Sequence, residues 1–199
     1  MISKQIGAGA QVILRQIIRL LIALRIHPNH LTFLGFLMSI AVAFAFAYGR
    51  FFLAGWLLVL AGIFDMVDGI VARTLGAETP YGAFFDSIMD RYSDLVLFLG
   101  LVIYYGRTDR MNYVVLVGVV MMGSVLTSYA RARSESLIQT CKVGFLERPE
   151  RIVLLLIGSF SQFMDPIVWV IAILSNWTVV HRILYTRAVL NKKKGWVNQ

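Results

Sequence analysis

Asp65-Met66-Val67-Asp68-Gly69-Ile70-Val71-Ala72-Arg73, followed after a short connection by Gly82-Ala83-Phe84-Phe85-Asp86-Ser87-Ile88-Met89-Asp90, is the stretch that decides how this chain is read. Apart from four aspartates and one arginine, both halves are built mostly of apolar and small residues. A charged side chain inside an apolar span costs at least about 2.5 kcal/mol on insertion scales, so it normally has a partner or a task. On a helix Asp65 and Asp68 are i, i+3 and share a face, and Asp86 and Asp90, at i, i+4, share another. The short connection predicts two antiparallel neighbouring helices whose acidic faces meet. Four carboxylates converging there repel one another unless cations sit among them. Hard divalent ions with oxygen ligands resolve that conflict, Mg²⁺ above all, with Mn²⁺ as the alternative. A pair of such ions roughly 3.5–4 Å apart is a known device for displacement at phosphorus.

Outward from this stretch the composition departs from that of a soluble domain. The 199 residues are 58% hydrophobic and 15% charged, and mean hydropathy is +0.73. Soluble domains run near about 45–50% apolar and about 25% charged. Segments long enough to cross about 30 Å of hydrocarbon fall at roughly 31–49, 51–73, 82–105, 111–134, 149–164 and 166–189. Before them, residues 2–26 read as an amphipathic helix in the interface plane, with Leu14, Ile17, Ile18, Leu21 and Ile22 opposite Arg15 and Arg19. The expected fold is therefore all-α and membrane-embedded, with six transmembrane helices in one domain over 1–199. It divides into an interfacial helix (1–27), a six-helix bundle (28–190) and a basic tail (191–199).

Charge sets the orientation. Of nineteen Lys and Arg residues, only Arg50, Arg107 and Arg110 fall on one side of these spans; the rest flank the other. The positive-inside rule then places both termini and the aspartates in or facing the cytoplasm. The net charge of +8 is spread between apolar segments, which fits anionic lipid headgroups and not nucleic acid. Arg15, Arg19 and Arg25 interrupt the first apolar stretch, so no cleavable signal is expected. The single cysteine, Cys141, excludes an internal disulfide and a Cys-based zinc site. Neither a GxGxxG after a strand nor a GxxxxGK[ST] is found.

Gly69, Ala72 and Gly82 lie on or beside the acidic faces. They read either as helix-packing residues or as gaps that admit a pyrophosphate and ribose. Arg73 is either a headgroup-facing terminus or a fork for an anion. The combined pattern D-x-x-D-G-x-x-A-R…G-x-x-x-D-x-x-x-D resembles the signature of the CDP-alcohol phosphotransferase family, with all eight fixed positions filled. The resemblance implies that Asp65, Asp68, Asp86 and Asp90 bind two metal ions and that Asp90 also deprotonates the acceptor hydroxyl. It implies attack on the β-phosphorus of a CDP-alcohol with departure of CMP, contacts to the CDP moiety from Gly69, Arg73 and Thr79, and a homodimer. Pro28-Asn29-His30-Leu31 looks like the family's nucleotide-contacting turn; its plainer reading is a helix-breaking turn.

The acceptor is read from Ser128-Tyr129-Ala130-Arg131-Ala132-Arg133 and Glu147-Arg148-Pro149-Glu150-Arg151. Guanidinium forks suit a phosphorylated acceptor, whereas ordinary flanking charge predicts i, i+4 pairs Arg131–Glu135 and Glu147–Arg151. These strings resemble the branch that makes phosphatidylinositol phosphate from CDP-diacylglycerol and inositol phosphate. That likeness carries Ser128, Arg131 and Arg182 over as acceptor contacts. Ser134 stands where the branch usually has Ala, and Arg131 where Lys is common, which leaves glycerol 3-phosphate and other inositol-like acceptors open. An ion-coupled transporter is the competing class, but it predicts acids spread through membrane depth.

Overall fold

The computed structural model describes residues 28–74, 76 and 79–197, so the amphipathic segment expected over 2–26 lies outside the described residues. Six helices follow one another: α1 (Pro28–Ala47), α2 (Phe51–Thr74), α3 (Pro80–Arg107), α4 (Met111–Glu135), α5 (Arg148–Ser161) and α6 (Met164–Val197). There is no strand among the described residues. The Pro28–Leu31 segment, expected as a turn, is already the first turn of α1, where proline's missing N–H costs nothing. The stretch 191–197, expected within a tail, continues α6.

Four helices (α1, α2, α4 and α6) contain stretches long and apolar enough to cross a membrane. The other two explain why six full spans are not reached by length and composition. At 14 residues, α5 rises about 21 Å, short of about 30 Å of hydrocarbon. The 28-residue α3 is long enough, but Asp86, Asp90, Arg91 and Asp94 interrupt its apolar run as far as its middle. Large apolar side chains such as Phe44, Trp56, Phe163 and Ile173 point outward, as they do when the solvent is hydrocarbon.

Helix α1 packs along both α2 and α3, and α4 packs along α6; α3 against α4, α2 against α5 and α5 against α6 complete the bundle. The main core gathers Phe46, Phe98, Leu101, Val117, Leu155 and Ile171. The expectation that α2 and α3 pack directly is not met. Both lean on α1 and make little backbone contact with each other, so a gap separates their acidic sides. The α1–α3 approach depends on Gly100, where an added Cβ would stand 2.7 Å from Ala43 Cα. Gly100→Val is expected to lower stability by about 1–3 kcal/mol through overpacking, read as a fall in the unfolding temperature in detergent.

At the end remote from the aspartates, one cluster ties three elements together. Tyr105 Oη donates to Asp165 Oδ1 at 2.8 Å, and Arg110 grips both Asp165 oxygens at 3.1 and 2.6 Å. The same guanidinium lies 5.3 Å above the Tyr105 ring and 4.2 Å above the Tyr113 ring.

Candidate active site

Two local features aim the acidic residues. Helix α2 ends at Thr74 and the chain turns through Gly76 at φ +59°, in the left-handed region that glycine adopts readily. Helix α3 then starts sharply, because Thr79 caps it, accepting from the Gly82 N–H at 2.9 Å, and Pro80 opens its first turn. Asp65 on α2 and Asp86 and Asp90 on α3 thereby reach across the gap. Each offers a carboxylate oxygen, and the three oxygens lie within 4.8 Å of one another. Asp68 stands apart from this group. It is buried, and Thr32 Oγ1 on α1 donates to its Oδ2 at 2.6 Å, so the four-way convergence becomes three carboxylates with a fourth beside them.

A cation already reaches these acids from a third helix. Arg148, first residue of α5, places Nη1 3.0 and 2.9 Å from the two Asp65 oxygens and 2.9 Å from Asp90 Oδ1. Its Nε lies 3.6 Å from Asp94 Oδ1. Glu147 caps α5 reciprocally with Glu150, which holds the arginine at the helix mouth. Three hard oxygen donors this close fit a divalent cation, and the guanidinium offsets part of their mutual repulsion.

Three cavities lie at this end of the bundle, two lined by the acids and the third joined to one of these through Arg148. The first, about 200 Å³, is lined by Asn29, Thr32, Asp68, Gly69, Ala72, Arg73, Thr79, Gly82 and Asp86. It gathers most of the residues expected to touch a CDP group. His30 and Leu31 do not line it. His30 is exposed, and Leu31 is buried in a small core with Val67 and Val71, because its position on α1 faces the apolar side of α2. The second, about 220 Å³, runs from Asp65, Asp90 and Arg148 between Phe36, Leu58, Ala61, Leu97 and Ile152. The third, about 420 Å³, is walled by Arg91, Ser128, Arg131, Glu147, Arg148, Arg151 and Arg182. It brings together the three residues expected to hold an acceptor.

The ion pairs in this third cavity differ in part from those expected from helix spacing. Arg131 does pair with Glu135 at 3.3 Å. Glu147, however, bonds Arg131 at 3.1 Å and Arg182 at 2.5 Å, while Arg151 pairs with Asp94 at 2.5 Å. A buried carboxylate on α3 outcompetes the local partner, because only there are both charges removed from water together. Arg151 is 2% exposed, and its Nε and Nη1 have no hydrogen-bond partner among the described residues. Unsatisfied donors of this kind are costly to bury, and Arg151 also borders the arginine-lined cavity. Arg151 belongs to this cavity although the spacing of residues alone does not assign it there. Its signal was an arginine one turn inside an apolar span.

The chain is similar to known proteins over most of its length. Residues 25–188 match the family model described as CDP-alcohol phosphatidyltransferase. The archaetidylinositol phosphate synthase of Methanothermobacter thermautotrophicus is 36% identical over 164 residues, covering 79% of this chain and 81% of that one. The phosphatidylinositol phosphate synthase of Corynebacterium glutamicum is 33% identical over 186 residues, covering 88% and 84%. Among solved structures, the Mycobacterium tuberculosis phosphatidylinositol phosphate synthase with CDP-DAG bound superposes with a TM-score of 0.80 at 31% identity, over 87% of this chain and 93% of that one. The same enzyme in complex with manganese and citrate gives 0.78 at 33% identity, over 86% and 87%.

Proposed function

The chain belongs to the CDP-alcohol phosphatidyltransferase family, and from that premise we propose that it transfers a phosphatidyl group from CDP-diacylglycerol, or a related CDP-alcohol, to inositol phosphate. The observation that carries this reading is the cluster of Asp65, Asp86 and Asp90 between one cavity lined by Asp86 and another lined by Asp65 and Asp90, with Arg148 joining the latter to a third cavity walled by arginines. It is an integral membrane enzyme dependent on a divalent metal; Mg²⁺, as two ions, is our assignment. Asp65, Asp86 and Asp90 would hold the metal, with Asp68 alongside. When bound, it would neutralise the pyrophosphate of the donor.

The remaining work falls to side chains. Asn29, Gly69, Ala72, Arg73, Thr79 and Gly82 would cradle the CDP group, the glycines leaving room for backbone approach. The apolar slot of Phe36, Leu58, Ala61 and Leu97 would take the donor's lipid portion. Ser128, Arg131, Arg151 and Arg182 would bind the acceptor phosphate, with two free donors on Arg151 ready for its oxygens. Asp90 would accept the proton of the acceptor hydroxyl as its oxygen bonds to the β-phosphorus. The bond from that phosphorus to the bridging oxygen of CMP breaks, and CMP leaves. Basic residues crowd the end that carries the site, which supports a cytoplasmic orientation; a homodimer rests on the family likeness alone.

Purified protein with CDP-diacylglycerol and Mg²⁺ tests the reading when CMP release is compared across inositol phosphate, inositol, glycerol 3-phosphate and serine. Release with inositol phosphate far above the others is the expected result, and strongest release with an unphosphorylated acceptor would overturn it. Arg131→Gln is expected to raise the KM for inositol phosphate about tenfold, by removing one charge-assisted contact, with kcat little changed. Initial-rate kinetics at saturating donor check this.

A further inference from the structure

We propose that the groove between the last turns of α4 and the middle of α6 is a binding site for one anionic phospholipid of the surrounding bilayer, separate from the donor and acceptor cavities. The groove encloses about 710 Å³ between Tyr129, Arg133 and Leu137 on one side and Ile183, Arg187 and Leu190 on the other. The two helices run in the same direction here, since Thr127 bonds the Ser175 carbonyl and, further along both chains, the Ser134 and Thr186 hydroxyls meet at 2.7 Å. Tyr129 and Arg133 are i, i+4 on α4, and Ile183 and Arg187 are i, i+4 on α6, so each helix presents the same pattern to the groove. An apolar pair lies toward the membrane middle, and an arginine pair lies one turn nearer the end that carries the active site.

Charge selects the occupant. Arg187 has no hydrogen bond or ion pair among the described residues, and Arg133 bonds only Ser136 Oγ and makes no ion pair. Arg182, which also borders the groove, is already engaged with Val143, Thr127 and Glu147. Two exposed arginines thus stand uncompensated over an apolar wall. An amphiphile with a phosphate at the headgroup and an acyl chain below complements both parts. Arg133 and Arg187 take the phosphate, and Tyr129 and Ile183 flank the chain. A zwitterionic lipid brings its own cation and gains less from the arginine pair.

The test is native mass spectrometry of the full chain after incubation with equal amounts of phosphatidylglycerol and phosphatidylcholine in detergent. The wild-type protein is expected to retain one phosphatidylglycerol per chain, favoured about tenfold. The double variant Arg133→Gln/Arg187→Gln should lose that preference, and Arg133→Lys/Arg187→Lys should keep most of it. Lys142→Gln, in the loop at the same end of the bundle, should keep all of it. Preference unchanged in the double Gln variant, or lost equally in Lys142→Gln, would overturn the site in favour of a diffuse basic surface. Ready disulfide cross-linking of Ile183→Cys into dimers would overturn it in favour of a second copy of the chain. Size-exclusion profiles matched to wild type confirm that each variant is folded.

Discussion

Asp90→Asn is expected to lower kcat by about 10²–10⁴-fold while the protein remains folded and monodisperse. Asp90 borders the apolar slot and contacts Arg148 at 2.9 Å, and Arg148 in turn walls the arginine-lined cavity. Like Asp65, it stands between the cavities proposed for donor and acceptor, and the family likeness gives the proton transfer to Asp90. Asparagine keeps the size and the oxygen for Arg148 but cannot take a proton. Asp90 also offers an oxygen to the metal, so donor binding should weaken too, but added metal should not restore turnover, because the proton acceptor stays missing. Asp65→Asn is expected to abolish turnover by a different route, weakening the metal, and so should be partly rescued by raising the metal concentration. Titration of both variants with Mn²⁺ under CMP-release conditions separates the two. Full activity in either would refute the site assignment.

Asp94→Ala is expected to destabilise the fold by about 3–5 kcal/mol, a drop of roughly 10 °C in unfolding temperature for a chain of this size. The side chain of Asp94 is 6% exposed, and its Oδ2 holds Arg151 Nη2 at 2.5 Å. That is the only hydrogen bond of the Arg151 guanidinium among the described residues. Removing it leaves a buried charge with no partner, the costly half of any buried ion pair. Asp94→Asn, which keeps an acceptor, should lose clearly less. Differential scanning fluorimetry in detergent gives both numbers, and equal melting of Asp94→Ala and wild type would show that the pair contributes nothing.

The division between what was legible in the residues and what was not follows the range of the interactions. Helical period and hydropathy place the segments, since both depend only on neighbours within a turn or a window. The i, i+4 relation of Asp86 and Asp90 and the loop-length argument for Asp65 likewise bring three carboxylates together as expected. Asp68 escaped, because its partner Thr32 sits 36 residues away on α1 and no periodicity links them. The same distance problem hid Arg148, which meets Asp65 across 83 residues. It also misdirected Arg151, paired by local spacing with Glu147 and held in the fold by Asp94, 57 residues away. The separation of α2 from α3 was invisible for another reason. A short loop makes two helices sequential, but which neighbour each packs along is decided by close fits such as Gly100 of α3 against Ala43 of α1.

The Tyr105–Asp165–Arg110 knot gives the bundle a mechanical asymmetry. It rivets α3, the mouth of α4 and the start of α6 at the tip farthest from the chemistry, as the pivot of a pair of tongs joins its arms. Helix ends tied there resist sliding along one another, so whatever freedom the bundle keeps is left to the tip that carries the carboxylates.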